Sequence, residues 1–268
     1  DLSAALDRGD VRLRRGGGDA QLGRGCLPRP PPRSTAASLA TGSRLRSMPH
    51  AAPVSNLREI NFNRLVPGIT IKNNLIYAGR EGGIRFAGDP NLAPDELAPI
   101  PFGRIINNTV YGNIDGGLGT GILVENFAGP TLLNNVVANT ALGVSIDSTS
   151  GLTVVGGTLY QNNTVPNNSF GFEDFPIFLQ PNAPLFVDAG NNNFYPAEGT
   201  LAIDSSIDSL EERADHRRVI NPLGISPSPL KTPERDVNGL LRGDDPSVAT
   251  PAGQGENVFK DRGALDRT

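Results

Sequence analysis

Ile71-Lys72-Asn73-Asn74-Leu75-Ile76-Tyr77 is written again as Ile105-Ile106-Asn107-Asn108-Thr109-Val110-Tyr111 and as Leu132-Leu133-Asn134-Asn135-Val136-Val137-Ala138. A fourth copy, Val154-Val155-Gly156-Gly157-Thr158-Leu159-Tyr160, puts glycines at the corner. Each copy is a short β run, a two-residue corner and a second short β run. From Tyr77 to Tyr111 to Ala138 to Tyr160 the spacing is 34, 27 and 22 residues. That is the range of one supersecondary unit stacked repeatedly with loops of varying length.

A second phrase recurs in step with the first: Gly83-Ile84-Arg85-Phe86, Gly121-Ile122-Leu123-Val124 and Gly143-Val144-Ser145-Ile146. Strands this short, with corners between them and no 3.6-residue period, exclude βαβ units and ordinary meanders. They fit an all-β chain wound as a right-handed parallel β-helix, in which each strand pairs with its equivalent one coil away, about 4.8 Å distant. The hand follows from the chirality of parallel connections. Asn suits the corner because it tolerates the left-handed conformation and its amide bonds to neighbours above and below. The pattern predicts about five coils within residues 56–200, after a low-complexity head (1–55) and before an irregular C-terminal cap (201–268) with a short helix at Leu210–Val219.

These coils resemble the parallel β-helix repeats of the pectin-lyase-like superfamily, in particular those of the C-terminal part of large secreted bacterial surface proteins. In the tail, Pro184-Leu185-Phe186-Val187-Asp188, Asn193-Phe194-Tyr195, Leu201-Ala202-Ile203-Asp204-Ser205, Arg235-Asp236-Val237-Asn238-Gly239 and Asp261-Arg262-Gly263-Ala264-Leu265-Asp266 are similar in order and spacing to the segment that closes such helices. The resemblance covers about residues 66–267. It implies the fold and an extracellular or cell-surface location, while leaving activity open, because the superfamily holds lyases, hydrolases, adhesins and passive stalks alike.

Composition agrees. The chain has 268 residues with 32 Gly, 23 Pro, no Trp and 6% aromatic content, a loop-rich β composition of about one domain. One cysteine, Cys26, excludes an intramolecular disulfide framework. No run approaches the ~20 apolar residues of a membrane-spanning helix, so no membrane insertion is expected. Residue 1 is Asp and no signal peptide follows it, which reads as a fragment of a larger protein. Residues 1–50 carry nine Arg and four Asp, leaving 15 basic against 24 acidic residues in the remainder. An acidic solenoid does not suit nucleic acid. The Arg/Gly/Pro-rich head cannot bury a core, and three readings compete for it: a disordered linker, an Arg/Gly arm for RNA, or sequence out of frame with real upstream coils. The last is favoured, and it predicts an uncovered first coil that templates self-association.

Chemistry is sparse. Alternation along the second phrase points Ile84, Ile122, Val144, Phe86, Val124 and Ile146 inward and leaves Arg85, Leu123, Ser145 and then Ala87, Glu125, Asp147 outside. Glu125 and Asp147 lie one bare coil apart, about 5 Å between Cα atoms. Such a pair suits Ca²⁺ through hard oxygen ligands, or a retaining glycosidase. By analogy with pectate lyases of the resembled superfamily, Arg85 would serve there as the base, giving a lyase trio of Arg85, Glu125 and Asp147. The blander reading is favoured: solvent-facing acids, with Arg85 neutralising Glu125. In the tail, Asp236, Asp244 and Asp245 are further calcium candidates, although the spacing departs from an EF-hand. The only histidines, His50 and His216, leave no triad and no zinc site. Asn107, Asn162 and Asn167 each open an Asn-x-Ser/Thr pattern, read as accidental unless a eukaryotic source is shown.

Burial is expected for Ile71, Leu75, Ile84, Phe86, Ile105, Val110, Ile122, Val124, Leu132, Val144, Ile146 and Leu159, and exposure for Arg85, Asp89, Glu125 and Asp147. Tyr77, Tyr111 and Tyr160 are expected to stack in one column. The function expected is a non-catalytic surface module, spacer or adhesin segment, meeting polysaccharide or other cell-surface components. The alternative is a Ca²⁺-dependent polysaccharide lyase acting on acidic glycans.

Overall fold

Short runs of β-branched and aliphatic residues between Asn and Gly corners fold as strands because nothing in them supports a longer helical stripe. The computed structural model describes residues 65–91, 100–112, 119–168, 173–207, 209–210, 230–254 and 259–268. The head with Cys26 and His50, then His216, and residues 92–99, 113–118 and 169–172 lie outside them. So does the helix read at Leu210–Val219, except for Leu210, which instead sits in a strand, Ser209–Leu210.

The strands come in threes. The first three are β1 (Leu65–Lys72), β2 (Leu75–Gly79) and β3 (Gly82–Ala87), followed by β4 (Ile100–Ile106), β5 (Thr109–Gly112) and β6 (Thr120–Glu125). Next are β7 (Thr131–Leu133), β8 (Val136–Ala138) and β9 (Leu142–Ile146), then β10 (Val154–Gly156), β11 (Leu159–Gln161) and β12 (Val165–Asn168). β13 (Glu173–Asp174) and β14 (Ile177–Phe178) end the series. Every third strand pairs, always in parallel: β1-β4-β7-β10-β13, β2-β5-β8-β11-β14 and β3-β6-β9-β12. The chain is thus all-β, with parallel stacked sheets compatible with a parallel β-helix.

Register stacks like on like. Ile71, Ile105, Leu132 and Val155 form one inward column, Ile84, Ile122 and Val144 a second, and Phe86, Val124 and Ile146 a third; all are buried in one core. The Gly83, Gly121 and Gly143 that open the second phrase face the same interior. A Cβ there would collide with Val110 at Gly83, with Val137 at Gly121, and with the Pro166 carbonyl oxygen and then the Tyr160 ring at Gly143, so the recurrent glycine makes room for the opposite sheet and the next coil.

Two expectations need correction. The fourth copy of the repeat is shifted by one residue: Val155 pairs with Leu132 and Gly156 with Leu133, so the residue at the Asn134 corner position is Gly157. Tyr160 therefore stacks on Val137, not on the Tyr77–Tyr111 column, and is 1% exposed inside the core. Left-handed geometry fixed the frame: Asn73, Asn107, Asn134 and Gly157 all have φ between 48° and 67°, a region where Asn and Gly are the residues of lowest strain. The doubled glycine hid that frame.

Leu75 is half-buried rather than buried. Its column, with Thr109, Val136 and Leu159, faces outward, and Ile76 next to it packs on the core. Val136 and Leu159 are nonetheless buried, because the tail covers them with Leu185 and Ala202. The outward Tyr77 and Tyr111 both meet Phe194, at ring-centroid distances of 5.0 and 5.3 Å.

That cover runs along the flank of several turns. After β15 (Phe186–Asp188), a single 3-10 turn at Ala189–Asn191 and β16 (Asn193–Pro196), residues 202–207, 232–245 and 260–267 lie against Asn73 of the first turn, Asn107 of the second, Asn134 of the third and Thr158 of the fourth. Ile207 closes over Ile106 and Leu133. No helix among the described residues is long and apolar enough to cross a membrane.

Candidate functional site

Alternation along β3, β6 and β9 brings the three candidate side chains to one edge of their sheet. Ala87 stands beside Glu125 in register, and the Asp147 N–H donates to the Val124 carbonyl at 3.0 Å, which continues the column one turn on. Arg85 is exposed. Its Nε donates to Glu125 Oε1 at 2.7 Å, and its Nη2 makes a second, shorter contact with the same oxygen. The Arg85 side chain is 65% exposed and that of Glu125 21%, so Glu125 is half-buried under its own counter-ion. The expected neutralisation of Glu125 by Arg85 is present as geometry.

Asp147, expected like Glu125 to be exposed, is half-buried as Glu125 is, because its carboxylate is turned back onto the backbone of its own and the preceding turn. Its Oδ2 accepts from the Asn126 N–H at 2.8 Å. Its Oδ1 accepts from Thr149 N at 3.0 Å, Thr149 Oγ1 at 2.8 Å and Ser150 N at 2.8 Å. Burial alone pushes this carboxyl upward, but these hydrogen bonds outweigh it and hold Asp147 below the ordinary carboxylate range. Asn126 and Phe127 are both left-handed, with φ of 58° and 62°. Their successive N–H groups form a concavity that suits an anion; the Asp147 carboxylate and Thr149 Oγ1 fill it. Asp89, exposed, accepts from the Asn91 N–H. This corner fastens one turn of chain to the next, and its carboxylates are engaged in doing so.

The tail acids are engaged in the same way. Asp236 Oδ1 accepts from Asn238 N and Leu240 N at 2.8 and 2.9 Å, closing a turn. Asp245 accepts from Ser247 N at 2.9 Å and Arg267 Nε at 3.0 Å; the bonds from Ser247, then the Arg267 charge, lower its pKa. Asp244 is exposed. Among the described residues no three His, Cys, Asp or Glu side chains converge to hold a metal ion. Of the calcium candidates, Glu125 and Asp147 adjoin one another on the coils, and Asp236, Asp244 and Asp245 lie in the tail.

Sequence reading missed the division of labour within each Asn pair. The second residues, Asn74, Asn108 and Asn135, make the internal ladder: Asn74 Nδ2 donates to Asn108 Oδ1 at 2.9 Å, and Asn108 Nδ2 to Asn135 Oδ1 at 3.1 Å. The first residues reach outward to hold the tail. Asn107 Nδ2 donates to the Asp261 carbonyl at 3.1 Å. Asn134 Nδ2 donates to the Ile207 carbonyl, and its Oδ1 accepts from the Ile207 N–H. The left-handed corner was the available signal, since it turns one side chain in and the next out.

A second missed cluster is the charge core of the tail. Arg242, with a fully buried side chain, donates to Asp266 at 3.2 Å, to the Gly263 carbonyl at 2.7 Å and to Asn73 Oδ1 at 3.1 Å. Asp261 accepts from Asp204 N at 2.8 Å and Arg267 N at 2.7 Å, yet burial, and then the neighbouring Asp266, push its pKa up to about 8. Asp204 is fully buried, left-handed with φ 47°, and neither of its carboxylate oxygens has a hydrogen bond of good geometry.

Comparison with family models, curated proteins and solved structures returns no match to this chain.

Proposed function

We propose that the chain is a non-catalytic module, a right-handed parallel β-helix of about five coils with the last one incomplete, serving as a spacer or adhesin segment of a larger extracellular or cell-surface protein. The hand is that of parallel crossover connections. The resemblance of the repeat and of the tail to the pectin-lyase-like superfamily supports the extracellular reading. One observation carries the assignment of no catalysis: every side chain placed at the chemical-looking corner is already committed to a structural bond. Arg85 is paired to Glu125, and the Asp147 carboxylate takes four donors from its own turn and the turn before. A general base needs a free lone pair within reach of the proton it removes, and the Arg85 guanidinium is instead turned onto the Glu125 carboxylate.

Polysaccharide and other cell-surface components are the partners that fit an acidic, flat-sided solenoid, and the edge of the first turn is the place for self-association. The test is to incubate the domain with polygalacturonate and related acidic glycans plus Ca²⁺ and follow the absorbance of unsaturated product. No turnover is expected. Turnover that disappears in Arg85→Ala establishes the polysaccharide lyase instead, with Arg85, Glu125 and Asp147 as its residues and calcium as its cofactor.

A further inference from the structure

Three Asn-x-Ser/Thr patterns run through the repeat, at Asn107, Asn162 and Asn167, and the fold treats them in three different ways. Asn107 is 0% exposed, and its Nδ2 already donates to the Asp261 and Gly263 carbonyls at 3.1 and 3.3 Å. A sugar on that nitrogen would stand where the tail docks. Asn167 pairs in register with the inward Val144, and its Nδ2 donates to Glu173 Oε2 at 2.6 Å, beside the Tyr160 hydroxyl that bonds the same oxygen at 2.8 Å. A sugar there would have to enter the core. Asn162 differs from both: it is exposed, left-handed with φ 53°, at the corner between β11 and β12, with Thr164 exposed two residues on. Its side-chain amide has no partner among the described residues, while its neighbour Asn163 is anchored by a bond from Nδ2 to Thr140 Oγ1 at 2.7 Å, so the corner is held firmly with Asn162 standing free.

We infer that Asn162 is an attachment site for an N-linked oligosaccharide and that the other two patterns are silent in the folded chain. The inference rests on the extracellular reading above together with passage through a compartment that holds an oligosaccharyltransferase reading Asn-x-Ser/Thr, the condition under which the pattern stops being accidental. In the reaction, Asn162 Nδ2 forms a bond to the anomeric carbon of a lipid-pyrophosphate-linked oligosaccharide. The bond from that carbon to the pyrophosphate oxygen breaks, the electron pair leaves on the pyrophosphate, and one amide proton passes to the transferase. Nothing is oxidised or reduced. An Asn-x-Ser/Thr acceptor on a surface corner is the setting this modification requires.

The full chain, carried into the endoplasmic reticulum of a eukaryotic host by a fused secretory signal, is read in the folded lumenal fraction. The expected result is one glycan, removed by an amidase specific for N-glycans, lost in Asn162→Gln and kept in Asn107→Gln and in Asn167→Gln. An unglycosylated folded chain, or a glycan that disappears with Asn107→Gln or Asn167→Gln, overturns the proposal. A second measurement is independent of location. In a Cys26→Ser background, Asn162→Cys should accept a maleimide-linked polyethylene glycol chain without denaturant and with no fall in Tm relative to the same variant before labelling, whereas Asn107→Cys should react only after unfolding. Loss of folding on labelling Asn162→Cys overturns the claim that this corner tolerates a bulky polymer, while leaving the extracellular reading in place.

Discussion

Residue by residue, the inner asparagine ladder of the repeat is bonded at every polar atom of Asn108, whereas neither carboxylate oxygen of Asp204 in the tail has a hydrogen bond of good geometry. Asn108 is buried with its N–H, Nδ2 and Oδ1 all bonded, and each such bond contributes about 1 kcal/mol net. Asp204 is the opposite case. Burial first, and then the charges of Asp244, Asp245 and Asp266, raise its pKa to about 6, against about 3.9 in an unfolded chain. Charged groups on the elements packed around it include Asp261 and the two arginines, Arg242 and Arg267, but these pair with Asp266 and Asp245. Because the folded value lies above the unfolded one, protonated Asp204 favours the folded state. Its contribution is fully present below about pH 4 and is lost as pH rises through about 6. Asp204→Asn removes the charge and keeps the shape, so it should flatten this part of the stability profile and raise stability at pH 7 by roughly 1–3 kcal/mol. Denaturant titrations of both proteins between pH 4 and 7 check it. Equal pH dependence in the two would mean that Asp204 is compensated in solution.

At the level of strands, what could be read in advance was what repeats. The Asn-Asn corners and the Gly-led second phrase put Ile71, Ile105 and Leu132 in one column and Ile84, Ile122 and Val144 in another, because like residues stack when equivalent strands pair. The frame failed only where the corner lost its asparagines. At Gly156-Gly157, chemistry alone offers two alignments, and the choice is made by which glycine takes the left-handed φ and by the aromatic bulk of Tyr160 opposite Gly143. Inward and outward positions in β2 were also ambiguous, because Leu75 and Ile76 are both apolar and both faces of that sheet are covered. The glycine column is now the sharper handle. A methyl group on Gly121 would meet Val137 Cγ1 and lie 2.7 Å from the Gly143 carbonyl oxygen. Gly121→Ala should therefore destabilise by about 2–4 kcal/mol through overpacking against a neighbouring backbone. Gly151→Ala, with nothing within 4 Å of the added carbon, is the matched control. Comparable urea midpoints for the two variants would refute the account of the recurrent glycine.

For the molecule as a whole, the cover that the tail lays along the flank was illegible, since its anchors are side chains of the repeat itself. Nothing in the order of residues says that Asn73, Asn107 and Asn134 reach out to it, nor that Asp204, Arg242, Asp261 and Asp266 meet in one charge core. The candidate site was legible as a column and its hydrogen-bond donors were not, because spacing shows that Glu125 and Asp147 are neighbours and not which donors hold them. Arg242 ties both parts together, bonding Asp266, the Gly263 and Asp261 carbonyls and Asn73 of the first turn from a fully buried position. Removing one partner of a buried pair leaves an uncompensated charge and costs about 3–5 kcal/mol. Arg242→Ala should therefore loosen residues 230–254 and 260–267 and, through the Arg262 N–H bond to the Ala202 carbonyl and the Ser206 N–H bond to the Lys260 carbonyl, residues 202–207, uncovering Ile106, Leu133 and Val136, which Ile207 and Ala202 now help to bury. The repeat has its own core in Ile105, Ile122, Leu132 and Val144 and should persist as β structure. The expected outcome is retained far-ultraviolet circular dichroism with new binding of a hydrophobic dye and faster proteolysis within the tail. A single cooperative transition in which strands and tail are lost together would show instead that the cover is an integral part of the solenoid, and that the repeat does not stand without it.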